Sequence, residues 1–221
     1  AIIAAAFVDS INPCEFAILI LLMSTVLASG NKKRALFSGL AFVSAIFISY
    51  FLMGLGLYSV IQTVKITRTF FIAVAFLAII IGLFNLKDYF WYGKWFKMEV
   101  PESWRPKMKM LVKGITSVPG AFGVGVLISL ILLPCTSGPY IIILGMLAET
   151  TTQNIAIIYL FLYNLIFIVP MLAITLAIYF GLTSPEDAEN WRMRKLRMLH
   201  LIAGIILIVL SSLTPRYRIE K

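Results

Sequence analysis

The chain has 221 residues, of which 61% are hydrophobic and only 13% are charged, and its mean hydropathy is +0.96. A soluble domain is about 45–50% apolar and about 25% charged, so a soluble fold of this length could not bury so much apolar surface, and lipid must solvate much of the chain. The net charge of +9 could suit nucleic acid or anionic lipid. However, the basic residues lie in short runs between long uncharged stretches, which is typical of membrane-protein loops and leaves no basic domain to bind nucleic acid.

Six apolar stretches approach the roughly 20 residues that cross a bilayer. We predict membrane-spanning helices within residues 2–29, 35–61, 69–86, 114–148, 155–181 and 198–213. Gly30-Asn31 and Ser184-Pro185 predict turns between spans. The first stretch is too long for a cleavable signal peptide, and because the chain starts with Ala1 rather than Met, we expect that an initiator or a short leader precedes it. The expected fold is an all-α integral membrane protein with one membrane domain, 1–221.

The distribution of Lys and Arg predicts the orientation of these spans. Fourteen of the nineteen lie in the first, third and fifth linkers, at 32–34, 87–113 and 192–197. The positive-inside rule places these three linkers in the cytoplasm and both termini outside, in a multi-pass protein of the cytoplasmic membrane. The third linker is also rich in Trp, Tyr and Phe, which predicts an amphipathic segment at the membrane interface. A docking surface or a gate is the alternative for that linker.

The sequence contains two cysteines, and both lie in the same context. Each directly follows a proline inside an apolar span, at Pro13-Cys14 and Pro134-Cys135, and each is followed by an apolar run and two further spans. This predicts two three-helix repeats, 1–86 and 114–215, joined by 87–113. Because each repeat has an odd number of spans, the two cross the membrane in opposite senses. Transporters with such inverted repeats bind their substrates near the membrane midplane on broken helices.

Proline predicts the local geometry at both cysteines. It disfavours helical backbone at the preceding residue, Asn12 or Leu133, and it suits the first position of a new helix. The first and fourth helices are therefore expected to be broken, and Gly138 and Pro139 extend the second break. Each cysteine would lie in the first turn of a half-helix, whose dipole favours a thiolate. Irregular backbone at membrane depth requires protein or a water-filled cavity around it, so a thiol there can be reached. Two structural cysteines in apolar helices are the alternative.

Two acidic residues lie close to the first cysteine. Asp9 and Glu15 are candidates for proton transfer or for tuning the polarity of a crevice, since acids inside a membrane are often functional. Glu15 has the opposite effect on Cys14 to the helix dipole, because a neighbouring carboxylate disfavours a thiolate. Asp9 fits equally well at the outer end of the first span, where its charge costs little.

At these residues the chain resembles the CcdA family of cytochrome c biogenesis proteins, which is related to the transmembrane domain of DsbD. Asn12-Pro13-Cys14 and Leu133-Pro134-Cys135-Thr136-Ser137-Gly138-Pro139 look like the two cysteine motifs of that family. The resemblance implies a thiol–disulfide oxidoreductase with Cys14 and Cys135 as its redox pair. It also implies that reducing equivalents pass from cytoplasmic thioredoxin to an extracytoplasmic thioredoxin-like protein or apocytochrome c, for example in cytochrome c maturation.

Two other functions would also use a pair of cysteines in apolar helices. Two thiolates between inverted repeats could carry soft Cu(I), although the sequence has no Cys-x-x-Cys motif and no ladder of Met or His. A small-solute transporter with structural cysteines is a second alternative. The sequence has no Walker loop, dinucleotide fingerprint or set of haem-binding histidines, so we expect neither an organic cofactor nor a resident metal.

Overall fold

A computed structural model describes residues 2–10, 13–63, 117–131 and 153–216, together with single positions at 76, 79, 80, 83, 86, 87, 140 and 144. Within these residues the regular structure is helical, without strands, as the composition predicts. Six helices lie in this part of the chain: α1 Ile2–Asp9, α2 Pro13–Leu27, α3 Lys32–Thr63, α4 Val118–Ile131, α5 Gln153–Tyr179 and α6 Pro185–Arg216.

These helices correspond only partly to the predicted spans. The second and fifth spans are matched by segments of α3 and α5 that are long and apolar enough to cross a membrane, Lys32–Ser59 and Asn154–Tyr179. Both α1 and α2 lie within the predicted first span, and α4 lies within the fourth. The predicted third span, 69–86, is described only at five helical positions, and most of the 87–113 linker lies outside the described residues.

The turn between α2 and α3 forms where Gly30-Asn31 predicts it. Gly30 has a φ of +80°, and its N–H donates to the Leu27 carbonyl over 2.8 Å. Asn31 caps α3, because its Oδ1 accepts the backbone N–H of Arg34 at 3.1 Å. The three basic residues at 32–34 therefore occupy the positive end of a helix dipole, where they disfavour the helix. Their placement suits an anionic lipid surface instead.

The last helix begins earlier than hydropathy indicates. Gly181, with a φ of +74°, ends α5. The Ser184 hydroxyl then caps α6 by accepting the backbone N–H of Asp187 at 3.0 Å, and Pro185 takes the first helical position. As a result the basic residues at 192–197 lie on α6 and not in a loop. Hydropathy cannot detect this start, because capping and favourable acidic residues stabilise a polar first turn.

The outer surface is apolar and the interior carries polar groups. Large apolar side chains of α3 and α5 are exposed, including Phe37, Leu52, Ile158, Val169 and Leu176. By contrast, the fully buried side chains include several polar ones: Ser10, Glu15, Ser38, Ser129, Asn164 and Thr175. This distribution is the one expected when lipid is the solvent, because polar groups must then find partners inside the protein.

Helices α3 and α4 approach closely at Gly125. A Cβ atom at that position would lie 2.7 Å from the Cβ of Ala45 and 2.9 Å from the carbonyl oxygen of Phe42. Small residues permit this kind of backbone contact between membrane helices, where dispersion forces replace the hydrophobic effect. Gly123 lies on the same helix and faces open space.

We therefore expect Gly125→Ala to destabilise the protein by about 1–3 kcal/mol, since the neighbouring helix backbone must move. Gly123→Ala is the matched control, and it should be neutral or slightly stabilising because alanine is the better helix former. Unfolding of both variants in mixed micelles, followed by circular dichroism, measures the difference. Equal stabilities would show that α3 and α4 are not in close contact at Gly125.

Candidate functional site

The first Pro-Cys motif lies at the start of a helix. Helix α1 ends at Asp9 and α2 begins at Pro13, so Cys14 is the second residue of α2 and Glu15 the third. Proline is favoured at a first helical position because its missing N–H would have no partner there. The side chains of Pro13 and Cys14 lie outside the described part of the molecule. So do five further predicted site residues: Asn12, Pro134, Cys135, Gly138 and Pro139.

Glu15, the residue after Cys14, is fully buried. The hydroxyl of Tyr50, in the middle of α3, donates a hydrogen bond to its Oε1 over 3.0 Å. Isolated burial of a carboxylate costs several kcal/mol in a medium of low dielectric constant, so such groups require polar partners. The first turn of α2 adds a favourable helix dipole for a negative charge. Glu15 therefore points into the protein and not toward lipid.

Tyr50 also links this acid to the second half of the sequence. Its backbone carbonyl accepts a 2.7 Å hydrogen bond from the hydroxyl of Tyr140. The Tyr50 and Tyr140 rings meet edge to face, with centroids 6.1 Å apart. Both tyrosines are buried. The residue that binds Glu15 is thus held by a residue only five positions after Cys135.

The second acid has a tyrosine partner as well. The Tyr163 hydroxyl, on α5, donates to Oδ2 of Asp9 at 2.8 Å. Tyr163 is buried and packs against Tyr140, with ring centroids 5.5 Å apart. Asp9 is half-buried at the end of α1. The buried tyrosine therefore holds the Asp9 carboxylate against α5.

We call Asp9, Glu15, Tyr50, Tyr140 and Tyr163 the tyrosine–carboxylate network. Three members belong to the first half of the chain and two to the second. The network joins the two buried apolar clusters, since Tyr50 belongs to the cluster formed by α2, α3, α4 and part of α5, whereas Tyr140 and Tyr163 belong to the cluster that includes residues of α1, α3 and α5. The folded chain thus places residues that flank both Pro-Cys motifs in one connected set of contacts.

The sequence indicates the two acids but not the three tyrosines. Tyrosine in membrane proteins is most common near the lipid headgroups, and only the position of Tyr50, well inside an apolar span, distinguishes it in the sequence. A hydroxyl at that depth needs a hydrogen-bond partner, which is a signal for an internal polar site. Asn164 is buried on the continuous helix α5, where its side-chain amide donates to the Leu160 carbonyl at 2.8 Å.

Comparison with known families decides the assignment. A family model described as the cytochrome c biogenesis protein transmembrane domain matches residues 1–212. The chain belongs to this family. The resemblance inferred from the two Pro-Cys motifs is confirmed. Neither the comparison with curated proteins nor the comparison with solved structures found a match.

Membership of the cytochrome c biogenesis family has two direct consequences. This protein is a membrane protein, in agreement with the apolar helices α3 and α5. The family is also associated with thiol–disulfide electron transfer, which is a redox activity. Within the described residues, no group of three or more His, Cys, Asp or Glu side chains is arranged to hold a metal ion.

The network predicts that Tyr163→Phe lowers the stability of this cytochrome c biogenesis protein by about 1 kcal/mol, because the Asp9 carboxylate loses a hydrogen bond while the ring is retained. Tyr159→Phe is the control, since this tyrosine is exposed on the same helix and its replacement should have an effect near zero. Midpoints of unfolding in mixed micelles test the difference. Identical midpoints would mean that the Tyr163–Asp9 contact contributes nothing to the fold.

Proposed function

We propose that this protein carries electrons across the membrane by thiol–disulfide exchange, with Cys14 and Cys135 as its redox pair. The observation that carries the proposal is that the chain belongs to a family associated with this chemistry and contains two cysteines, each directly after a proline. Two cysteines are the number that one intramolecular disulfide requires.

The tyrosine–carboxylate network supports the pairing of these cysteines. Glu15 directly follows Cys14 in the sequence, and Tyr140 follows Cys135 by five residues. Tyr50 contacts both Glu15 and Tyr140. Because five residues of chain reach no farther than about 18 Å, these contacts restrict how far apart the two cysteine segments can be. A disulfide needs Cα atoms within about 7 Å, and the restriction is compatible with that.

The exchange conserves electrons and protons without another redox group. A thiolate of reduced thioredoxin attacks one sulfur of the Cys14–Cys135 disulfide, which forms a mixed disulfide and releases the other sulfur as a thiolate. The second thioredoxin thiol then attacks the mixed disulfide, so thioredoxin leaves oxidised. Two electrons and two protons now reside on Cys14 and Cys135, and the reverse sequence passes them to an oxidised thiol protein outside. The reduction potential of thioredoxin is about −270 mV, so electron transfer to an acceptor with a higher potential is thermodynamically favourable.

Orientation and architecture belong to the same proposal. The bias of basic residues toward 32–34, 87–113 and 192–197 supports cytoplasmic placement of these segments and external termini. The end of α1 at Asp9 and the new start at Pro13 support a broken first helix. We propose that 1–86 and 114–215 form inverted three-helix repeats that move against each other, so that the cysteine pair meets thioredoxin inside and the acceptor outside.

The two acids are proposed to control polarity and protons near the first cysteine. Glu15 is buried in the turn that contains Cys14. A carboxyl group there can supply a proton to a thiolate that leaves during exchange, and in its charged form it disfavours a thiolate beside it. Asp9, held by Tyr163, contributes a second polar group on the other side of Pro13.

The test is to count reactive cysteines by mass. The purified protein is treated with an alkylating reagent before and after reaction with reduced thioredoxin. We expect zero labels to become two, because thioredoxin opens the Cys14–Cys135 disulfide. Thioredoxin whose second active-site cysteine is replaced by Ser should stay attached through a mixed disulfide, since the thiol that would release it is missing. With Cys14→Ser or Cys135→Ser no intramolecular disulfide exists, so reduced thioredoxin should form no adduct.

Two controls separate this function from metal or solute transport. Thioredoxin without its active-site cysteines should leave the label count at zero. The double Cys14→Ser, Cys135→Ser variant should lose all electron transfer, whereas a carrier of ordinary solutes would still function. If both cysteines label before reduction, or label equally with and without thioredoxin, the redox proposal is wrong and Cu(I) binding becomes the next measurement.

A further inference from the structure

Helix α3 has a gap at Gly54 that is occupied by the Tyr140 hydroxyl. A Cβ atom at Gly54 would overlap that oxygen and would lie 2.8 Å from Cδ1 of Leu160. The hydroxyl uses this space to reach the carbonyl of Tyr50 at 2.7 Å. In a helix the Tyr50 carbonyl is already the acceptor for the N–H of Gly54, so the Tyr140 hydrogen bond is an additional one that requires an open helix surface.

Two contacts of Tyr50 extend from this gap toward the two cysteine motifs. On one side the Tyr50 hydroxyl donates to Glu15, next to Cys14. On the other side the Tyr50 carbonyl holds Tyr140, five residues after Cys135. Tyr50 is on α3, which is a continuous helix from Lys32 to Thr63. Tyr50 is therefore hydrogen-bonded both to the neighbour of Cys14 and to a residue five positions after Cys135.

We infer that the Tyr140 hydroxyl, seated at Gly54 and bonded to the Tyr50 carbonyl, is a positioning contact that brings the segment of Cys135 to that of Cys14. This inference rests on the proposed redox function and adds two residues, Tyr140 and Gly54, to it. Neither residue touches the reacting sulfurs. They act through the effective concentration of one cysteine thiol at the other, which determines how readily the pair becomes a disulfide.

Equilibration with glutathione measures that effective concentration without thioredoxin. The protein dithiol and one oxidised glutathione give the protein disulfide and two reduced glutathione molecules, so two electrons and two protons pass from the cysteines to glutathione. We expect Tyr140→Phe to lower this equilibrium constant roughly three- to tenfold, as for the loss of one hydrogen bond. Gly54→Ala should lower it to a similar extent, because the added methyl displaces the same hydroxyl.

A double-variant cycle identifies the shared cause. If both changes act through one contact, the Tyr140→Phe, Gly54→Ala protein should resemble either single variant and not show the product of both effects. Gly56→Ala is the matched control, because Gly56 is on the same helix and faces open space. Tyr159→Phe controls for loss of a tyrosine hydroxyl. Both controls should keep the wild-type constant. General destabilisation would affect the dithiol and disulfide forms alike and would not shift the constant.

The outcomes separate this inference from the proposed function. If the wild-type protein forms the intramolecular disulfide and Tyr140→Phe leaves the constant unchanged, the positioning role is wrong and the redox function still stands. If the equilibrium constant of the double variant falls by the product of the two single effects, the two residues do not act through one contact at Gly54. If the wild-type protein forms no intramolecular disulfide at any glutathione ratio, the proposed redox pair is itself wrong, and the positioning role is rejected with it.

Discussion

Burial of Glu15 is the constraint on which the rest of the site depends. A carboxyl group in an apolar interior is costly unless polar groups surround it, and lipid offers none. The chain meets this requirement with Tyr50, whose hydroxyl donates to Glu15. Because Tyr50 is on α3 and Glu15 is in the first turn of α2, the contact determines how the helix of the first cysteine lies against α3.

The same helix also receives the second half of the chain. Two glycines permit these contacts, because neighbouring atoms leave no room for a Cβ at either. Tyr140 packs on α3 at Gly54, and Gly125 of α4 packs against α3. In a membrane such contacts contribute through dispersion and hydrogen bonding, since apolar side chains gain little by leaving lipid for protein. Helix α3 therefore serves as a common surface for both halves, with polar contacts inside and large apolar side chains such as Leu52 outside.

Much of the architecture was predictable from local patterns. Long uncharged segments predict α3 and α5, and Gly30-Asn31 predicts the turn before α3 because glycine readily adopts a positive φ. The two Pro-Cys motifs indicate the family. The start of α6 was missed, because a polar helical turn capped by Ser184 has no hydropathy signal. The inverted repeats stay a prediction, because the described residues cover only part of each half.

The sequence by itself determined that lipid surrounds this protein, which family it belongs to, and which two cysteines are the candidates for its redox chemistry. These properties follow from composition and from short motifs, which depend on neighbours in the chain. Only the tertiary structure decided which polar side chains meet. Asp9 pairs with Tyr163 across 154 positions, and Tyr50 pairs with Tyr140 across 90. Such partners cannot be read from the sequence, because a hydroxyl specifies only that it needs an acceptor, and the packing of helices decides which acceptor lies within reach.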